Sequence, residues 1–505
     1  MRRMQGLIAG AILSLALSSH ADAAPGVVRI DSGELEGVVA GEIVSFKNVP
    51  FAAPPIGNLR WRAPQPVAAW SGVRKADKVG ALCMQKINPT DNGVGPPPAS
   101  EDCLTLNVFA PAAKSSKLLP VMFWIHGGGF SNGSGTAALY DGTGLAKQGV
   151  VVVTINYRLG PLGFFAHPAL VKDVPQELQG NYAILDQIAA LQWVKRNVAA
   201  FGGDASNVTI FGESAGGAAV NTLMITPPAR GLFHKAIAQS GLGRERRLLL
   251  DRTSPEGRPS ALEAGAKFAE RMGVANADAA ALRALSADAI IKATEQFADT
   301  NPIIDGKLIP ENVDVAFAAG RQAPVPYLAG SNALEFPFYA DSLPGAIGEA
   351  MRFSAEQRAQ LVTAYGGEDN YKTNILSDVL FTEPARALTR LHLQSKQPSY
   401  LYRFSVLSAH APPTIKATPH AQERQHVFKT LETSAWKTDA NDERASELMS
   451  AYWVAFAKTG NPNGGGRPEW PLATTDNRVF EFTNDGPIVT QQPNAAALDT
   501  LAKRY

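Results

Sequence analysis

From about residue 104 onward, short and nearly unbroken apolar runs alternate with longer segments of helical spacing. LTLNVFAP (104–111), LPVMFWIH (119–126), VVVTINY (151–157), VTIFG (208–212) and KAIAQSG (235–241) read as strands, joined later by VPYLAGS (325–331) and SYLYRFSV (399–406). Strands apolar at successive positions are buried on both faces, as in a parallel sheet covered by helices. Between them, NYAILDQIAALQWVKRNVAAF (181–201) sets Ile184, Ile188, Leu191 and Val194 on one side, the spacing of a helix. Residues 250–300 are Ala-rich with a helical pattern, 342–396 are mostly helical, and a last helix over 441–458 is ended by GNPNGGG. Before this, VVRIDSGELEGVVAGEIVSFK (27–47) alternates apolar and polar residues around Ser32-Gly33 and Gly41, predicting an antiparallel hairpin or meander. Residues 50–75 are Pro-rich and irregular, with Trp61 and Trp70 as packing anchors, and 88–99 form a loop. The order predicts an α/β fold: a large, mostly parallel, doubly wound sheet with helices on both faces and helical insertions over one end.

Composition refines this picture at the N-terminus. Residues 1–23 carry Arg2 and Arg3, an apolar run from Leu7 to Leu17, and the small-residue pattern Ala21-Asp22-Ala23. They read as a signal peptide cut near Ala23/Ala24, placing the mature protein outside the cytoplasm, secreted or periplasmic. Residues 24–505 then form one domain, and no later run is long and apolar enough to span a bilayer. The chain has 505 residues, 47 Lys+Arg and 46 Asp+Glu; without residues 1–23 the two classes balance at 45 each. A neutral chain lacks the basic field that attracts nucleic acid or anionic membranes. The two cysteines, Cys83 and Cys103, predict a disulfide in an exported protein.

The chemistry concentrates in two motifs. Gly212-Glu213-Ser214-Ala215-Gly216 has the pattern G-x-S-x-G where a strand gives way to small, helix-compatible residues. Such a turn holds a serine in a strained conformation above the sheet edge, and glycines at −2 and +2 avoid crowding it. His126-Gly127-Gly128-Gly129-Phe130 follows the strand VMFWI. Three consecutive glycines leave backbone N–H groups open to the negative oxygen of a tetrahedral intermediate. A serine needs a base, and the base needs an orienting acid. In chain order Ser–acid–His, the acid is Glu335, beyond VPYLAGSNAL, with Asp305 as competitor; the base is His410 or His420, both in polar loop sequence. His392 sits in a helical pattern, and His426 stands where a helix opens.

From about residue 27 to 490 the chain resembles the type-B carboxylesterases, the family that includes the cholinesterases. The resemblance rests on VPFAAPPIGNLRWRAPQP, EDCLTLNVFAP, WIHGGGF, NYRLGPLGFF, GNYAILDQIAALQWVKRNVAAFGGDASNVTIFGESAGG and AIAQSG. It implies an α/β-hydrolase fold and hydrolysis of carboxylic esters, with a small-molecule ester and water as partners; the sequence itself carries no dinucleotide fingerprint, P-loop or metal spacing that would call for a cofactor. It implies Ser214 as nucleophile, Glu335 as acid and His420 as base, with oxyanion donors at Gly128, Gly129 and Ala215. A Cys83–Cys103 disulfide and a supporting role for Ser240 and Asp378 behind the histidine follow from the same pattern. Two departures stand out: HAQER follows at the histidine where the family has glycine or serine and then an acid, and cysteines for two later family disulfides are absent. Arg244, Arg246 and Arg247 are candidates to bind an acidic substrate, against the simpler reading of a solvated helix start. Phe336 and Phe338 are candidate pocket walls. The same site could serve an amidase, a carbamate hydrolase or an acyltransferase. A non-catalytic binding protein of this fold is disfavoured by the retained serine, acid, histidine and glycine loop.

Overall fold

The structure is a computed structural model that describes residues 26–88, 95–113, 115–296, 301–337, 348 and 350–505. Residues 1–23 and Phe338 lie outside the described residues.

The central sheet has eleven strands. In chain order they are β1 (Val38–Ala40), β2 (Ile43–Pro50), β3 (Thr105–Pro111), β4 (Leu119–Ile125), β5 (Val151–Ile155) and β6 (Gly203–Glu213). They continue as β7 (Lys235–Gln239), β8 (Tyr327–Asn332), β9 (Ser399–Phe404), β10 (Arg478–Thr483) and β11 (Gly486–Gln491). The spatial order is β11-β10-β9-β8-β7-β6-β4-β5-β3-β2-β1. The strands from β5 to β10 are parallel to their neighbours, and antiparallel strands close both sides. The hairpin read at 27–47 is really two. Val27–Ile30 pairs with Gly33–Glu36 in a separate small sheet, and β1 pairs with β2.

The apolar runs form strands buried on both faces because their side chains alternate between two cores. Val121, Phe123 and Ile125 of β4 pack with Ile184, Ile188, Leu191 and Val194. Met122 and Trp124 point the other way, against Met449, Trp453 and Phe456. The first group meets helices α1 (Tyr182–Asn197) and α2 (Ala215–Ile225); the second meets α4 (Ala440–Thr459), with α3 (Glu383–His392) packed near β8 and β9. Every residue of 121–125 is fully buried, each contributing about 1.5–3 kcal/mol of hydrophobic stabilisation. Helix α4 starts on a capping box between Asp439 and Asp442 and stops at Gly460, φ 79°, in the left-handed turn that glycine favours. Arg158 and Asp186, from the NYRLG and LDQ stretches, clamp the loop after β5 to α1 through two charge-assisted bonds of 2.8 and 2.6 Å. Trp61 is fully buried with its Nε1–H on Pro161 O; Trp70 is only half-buried.

Some elements were not foreseen. The hairpin β10–β11 widens the sheet beyond β9, and helix α5 (Ala495–Ala502) follows the helix expected to be the last. Among the described residues no helix is long and apolar enough to cross a membrane.

Parallel strands end at the same edge of a sheet. Ser214 follows β6 directly, the triple glycine follows β4, Glu335 lies just beyond β8, and His420 lies in the loop after β9. Residues far apart in sequence therefore converge at one edge, where open α/β sheets place their sites.

Candidate active site

Ser214 caps the N-terminus of α2 with φ 56° and ψ −122°, a conformation that non-glycine residues rarely adopt. The glycines around it are forced by contact. A Cβ on Gly216 would lie 2.0 Å from Ile125 O, and one on Gly212 would lie 2.6 Å from Gly216 O. The turn is therefore pressed against the end of β4, and Ser214 N–H is tied to Gln239 O at 2.9 Å.

His420 Nε2 accepts from Ser214 Oγ at 2.8 Å, and its Nδ1–H donates to Glu335 Oε2 at 2.7 Å. The other oxygen of Glu335 accepts from Ser240 Oγ and from the backbone N–H of Asn332, each at 2.6 Å. His420 is also held through its own N–H on Glu335 O. Ser240 is thus linked to the histidine through Glu335. The two sequence alternatives are placed elsewhere. His410 is exposed, and Asp305 Oδ1 accepts the N–H groups of Lys307, Leu308 and Ile309 in a turn. His392 is buried between Gln322 and Val325 O, and His426 reaches Asp442.

The glycine loop stands opposite the serine. Gly128 O accepts the N–H groups of Ser131 and Asn132, so the chain turns tightly there with Gly128 at φ 102°. The loop is braced by Tyr157, whose hydroxyl donates to His126 O, and by Gln85, which bonds Gly133 through both its amide oxygen and its nitrogen. Gln85 lies two residues beyond Cys83, and Cys83 and Cys103 are joined in a disulfide. Among the described residues no protein acceptor takes the N–H groups of Gly128, Gly129 or Ala215.

Three groups at the site were not read from the sequence. Glu213, next to Ser214, is buried with Oε1 3.2 Å from His420 Nε2. Glu423 is buried and bonded to Gln239 and Asn332. Burial and the nearby Glu335 raise its pKa. Phe381 lies tilted against the His420 ring, centroids 4.7 Å apart, and Phe336 lies 4.9 Å from the same ring. The motif hid Glu213 behind an unspecified position, Glu423 follows His420 by three residues in HAQER, and Phe381 meets His420 only through folding.

Burial disfavours the charged imidazole, but Glu213, Glu335 and Glu423 outweigh it and push the His420 pKa up to about 9. A base works only when deprotonated, so with His420 in that role kcat/KM is expected to rise with pH through this group in the free enzyme. Removing the Glu213 charge weakens the hold on the proton. Glu213→Gln is therefore expected to move the acid limb of the kcat/KM profile to lower pH, read from initial rates between pH 5 and 10. An unmoved limb would show that the histidine does not feel this charge.

Asp378 lies at one remove from His420: its Oδ2 accepts from Tyr365 and Asn494, anchoring a π-helical turn (Asp378–Thr382) whose Phe381 packs against the His420 ring. One further expectation is corrected. The segment after AIAQSG is neither a helix start nor a set of free cations. Arg244 grips Glu383, Arg246 grips Asp314, and Arg247 is buried on Glu245 and Thr222. Each guanidinium expected to meet a substrate carboxylate already holds one of the chain's own. Phe336 lies against His420 as a pocket wall would.

Among the described residues no group of three or more His, Cys, Asp or Glu is disposed to hold a metal. The arrangement can move a proton from a hydroxyl to an imidazole and present backbone N–H groups to a developing oxyanion, the requirements of acyl transfer.

Comparison with known proteins agrees with this chemistry. The model of the carboxylesterase family matches residues 24–373 and 368–501. The chain is 36% identical over 492 residues to the fumonisin B1 esterase of Sphingopyxis macrogoltabida, covering 91% of this chain and 86% of that protein. It is 35% identical over 463 residues to the para-nitrobenzyl esterase of Bacillus subtilis (strain 168), covering 86% and 90%. A solved PNB esterase structure superposes with a TM-score of 0.83 at 31% identity, over 95% of this chain and 99% of the other. The sheet, its helices and this likeness together identify an α/β-hydrolase fold, and the chain belongs to the carboxylesterase family, a carboxylic-ester hydrolase.

Proposed function

We propose that the protein is an exported serine carboxylesterase that works through an acyl-enzyme on Ser214. Ser214 Oγ attacks the ester carbonyl while its proton passes to His420 Nε2. The carbonyl oxygen, now negative, is met by the N–H groups of Gly128, Gly129 and Ala215. Glu335 keeps the imidazole in the right tautomer and balances the imidazolium. His420 then gives its proton to the departing alcohol, and water repeats the sequence to release the carboxylate. The observation that carries this reading is the continuous chain Ser214–His420–Glu335, with links of 2.8 and 2.7 Å. Phe336 and Phe381 beside a glycine floor suit carboxylic esters with small to medium acyl groups. Residues 1–23, with their basic start and apolar run, support export and a single mature domain over 24–505.

An alkyl p-nitrophenyl phosphonate tests the mechanism. One phosphonyl group per chain is expected on the peptide containing Ser214, with activity lost in proportion to labelling. The intact mass of exported protein should correspond to a chain beginning at Ala24. Label on another residue, or inactivation without label, would count against the reading.

A further inference from the structure

The arginines that follow AIAQSG belong to a larger basic cluster. Arg244 and Arg246 line a surface cleft of about 590 Å³ together with Arg321, Arg386 and Arg390. None of Ser214, Glu335 and His420 is part of its lining, which includes aliphatic surface from Val315, Ala318 and Leu391. The volume is that of a small-molecule site.

The charges in the cleft do not all balance. Arg244 is met by Glu383, Arg246 by Asp314, Arg321 by Glu311 and Arg386 by Asp499. Arg390 forms no ion pair among the described residues. Its Nη2 reaches only the neutral oxygens of Thr475 and Asn477, and its Nε is buried with no hydrogen-bond partner. Burial and the neighbouring Arg386 cation disfavour its charged form more than the nearby Asp499, Glu383 and Asp476 favour it, a balance that an anion in direct contact would shift. A planar guanidinium that no carboxylate of the described residues takes suits a carboxylate ligand, which presents two oxygens in one plane. Inorganic phosphate would meet the charge but leave the aliphatic surface wet; a long-chain alcohol would do the reverse.

We propose that this cleft binds small amphiphilic carboxylates, the anion on Arg390 and the apolar tail along Val315, Ala318 and Leu391. The acid released by an ester hydrolase belongs to this class, so the enzyme's own product is a natural occupant.

Sodium octanoate is the probe, titrated calorimetrically into wild type, Arg390→Gln, Arg390→Lys and Ala318→Trp. Saturable binding with one site per chain is expected in wild type. It should weaken at least tenfold in Arg390→Gln, recover partly in Arg390→Lys, and be lost in Ala318→Trp, which fills the cleft without touching an arginine. Inorganic phosphate and 1-octanol should each bind at least tenfold more weakly than octanoate. Thermal melting of each variant separates loss of the site from loss of the fold, and Ala318→Trp keeps the test open should Arg390→Gln unfold. The proposal is overturned by absence of saturable binding, by phosphate binding as tightly as octanoate, or by equal octanoate affinity in wild type, Arg390→Gln and Ala318→Trp. That last result would place octanoate elsewhere, the Ser214 pocket included.

Discussion

Ser214→Ala is expected to hydrolyse p-nitrophenyl butyrate with kcat lowered by about 10⁴- to 10⁶-fold, the range seen when a triad nucleophile is removed. The backbone need not change. Residue 214 is fixed by its N–H on Gln239 O and by the packing of Gly212 and Gly216 against β4, so the melting temperature should stay within a few degrees. What is lost is the hydroxyl that donates to His420 Nε2 at 2.8 Å. Without it no acyl-enzyme forms, and only the remaining slow route, water activated beside the N–H groups of the glycine loop, is left. The measurement is a steady-state rate on purified protein with a melting curve alongside. A variant within tenfold of wild type would sink the assignment of Ser214.

The second large effect is expected at Gly128. Its φ of 102° is one that L side chains rarely adopt, and a Cβ there would lie 2.2 Å from Asn132 O. The turn would have to open, carrying the N–H groups of Gly128 and Gly129 away from the oxyanion position. Loss of one such donor costs about 10²- to 10³-fold in kcat, with KM little changed because the ground-state ester uses these groups less. Gly129 supplies the internal control. Its φ is 60°, and the nearest atom to an added Cβ is Ser131 Oγ at 3.7 Å. Alanine in that left-handed conformation costs about 1–2 kcal/mol without a clash, so Gly129→Ala should be the milder variant. Equal activity of Gly128→Ala and wild type, or greater damage at Gly129, would remove the loop from the mechanism.

The elements easiest to read in advance were those whose cause is local. VMFWI had to be a strand buried on both faces, because five successive apolar residues cannot serve one face of anything else so short. G-x-S-x-G and the triple glycine declare themselves because backbone crowding within a few residues demands glycine. Arg244 and Arg246 were misread because their partners, Glu383 and Asp314, lie 139 and 68 residues further on; charge at a distance is invisible to a local pattern. Phe381 escaped notice for the same reason, and Glu423, though three residues from His420, is placed by partners 184 and 91 residues away, Gln239 and Asn332. The alternation in β10 and β11 is short, with Ile488 and Val489 left exposed at the sheet edge, which blurs the contrast a strand pattern depends on. The departure at HAQER has a visible cost: Ala421 sits at φ 67°, where the family's glycine would rest without strain. Choosing between His410 and His420 required the family pattern, since both are loop histidines of similar surroundings in sequence.

The sequence distance between the members of the triad also governs when the enzyme can first act. His420 meets its two partners across separations of 85 and 206 residues, and the strands that aim them lie in both halves of the chain. A nascent polypeptide that has folded through β6 already owns the serine turn and the glycine loop, yet has no base. Under the proposed mechanism the hydrolase is therefore expected to stay silent until His420 joins Ser214, and an exported chain would act only where its folding is completed.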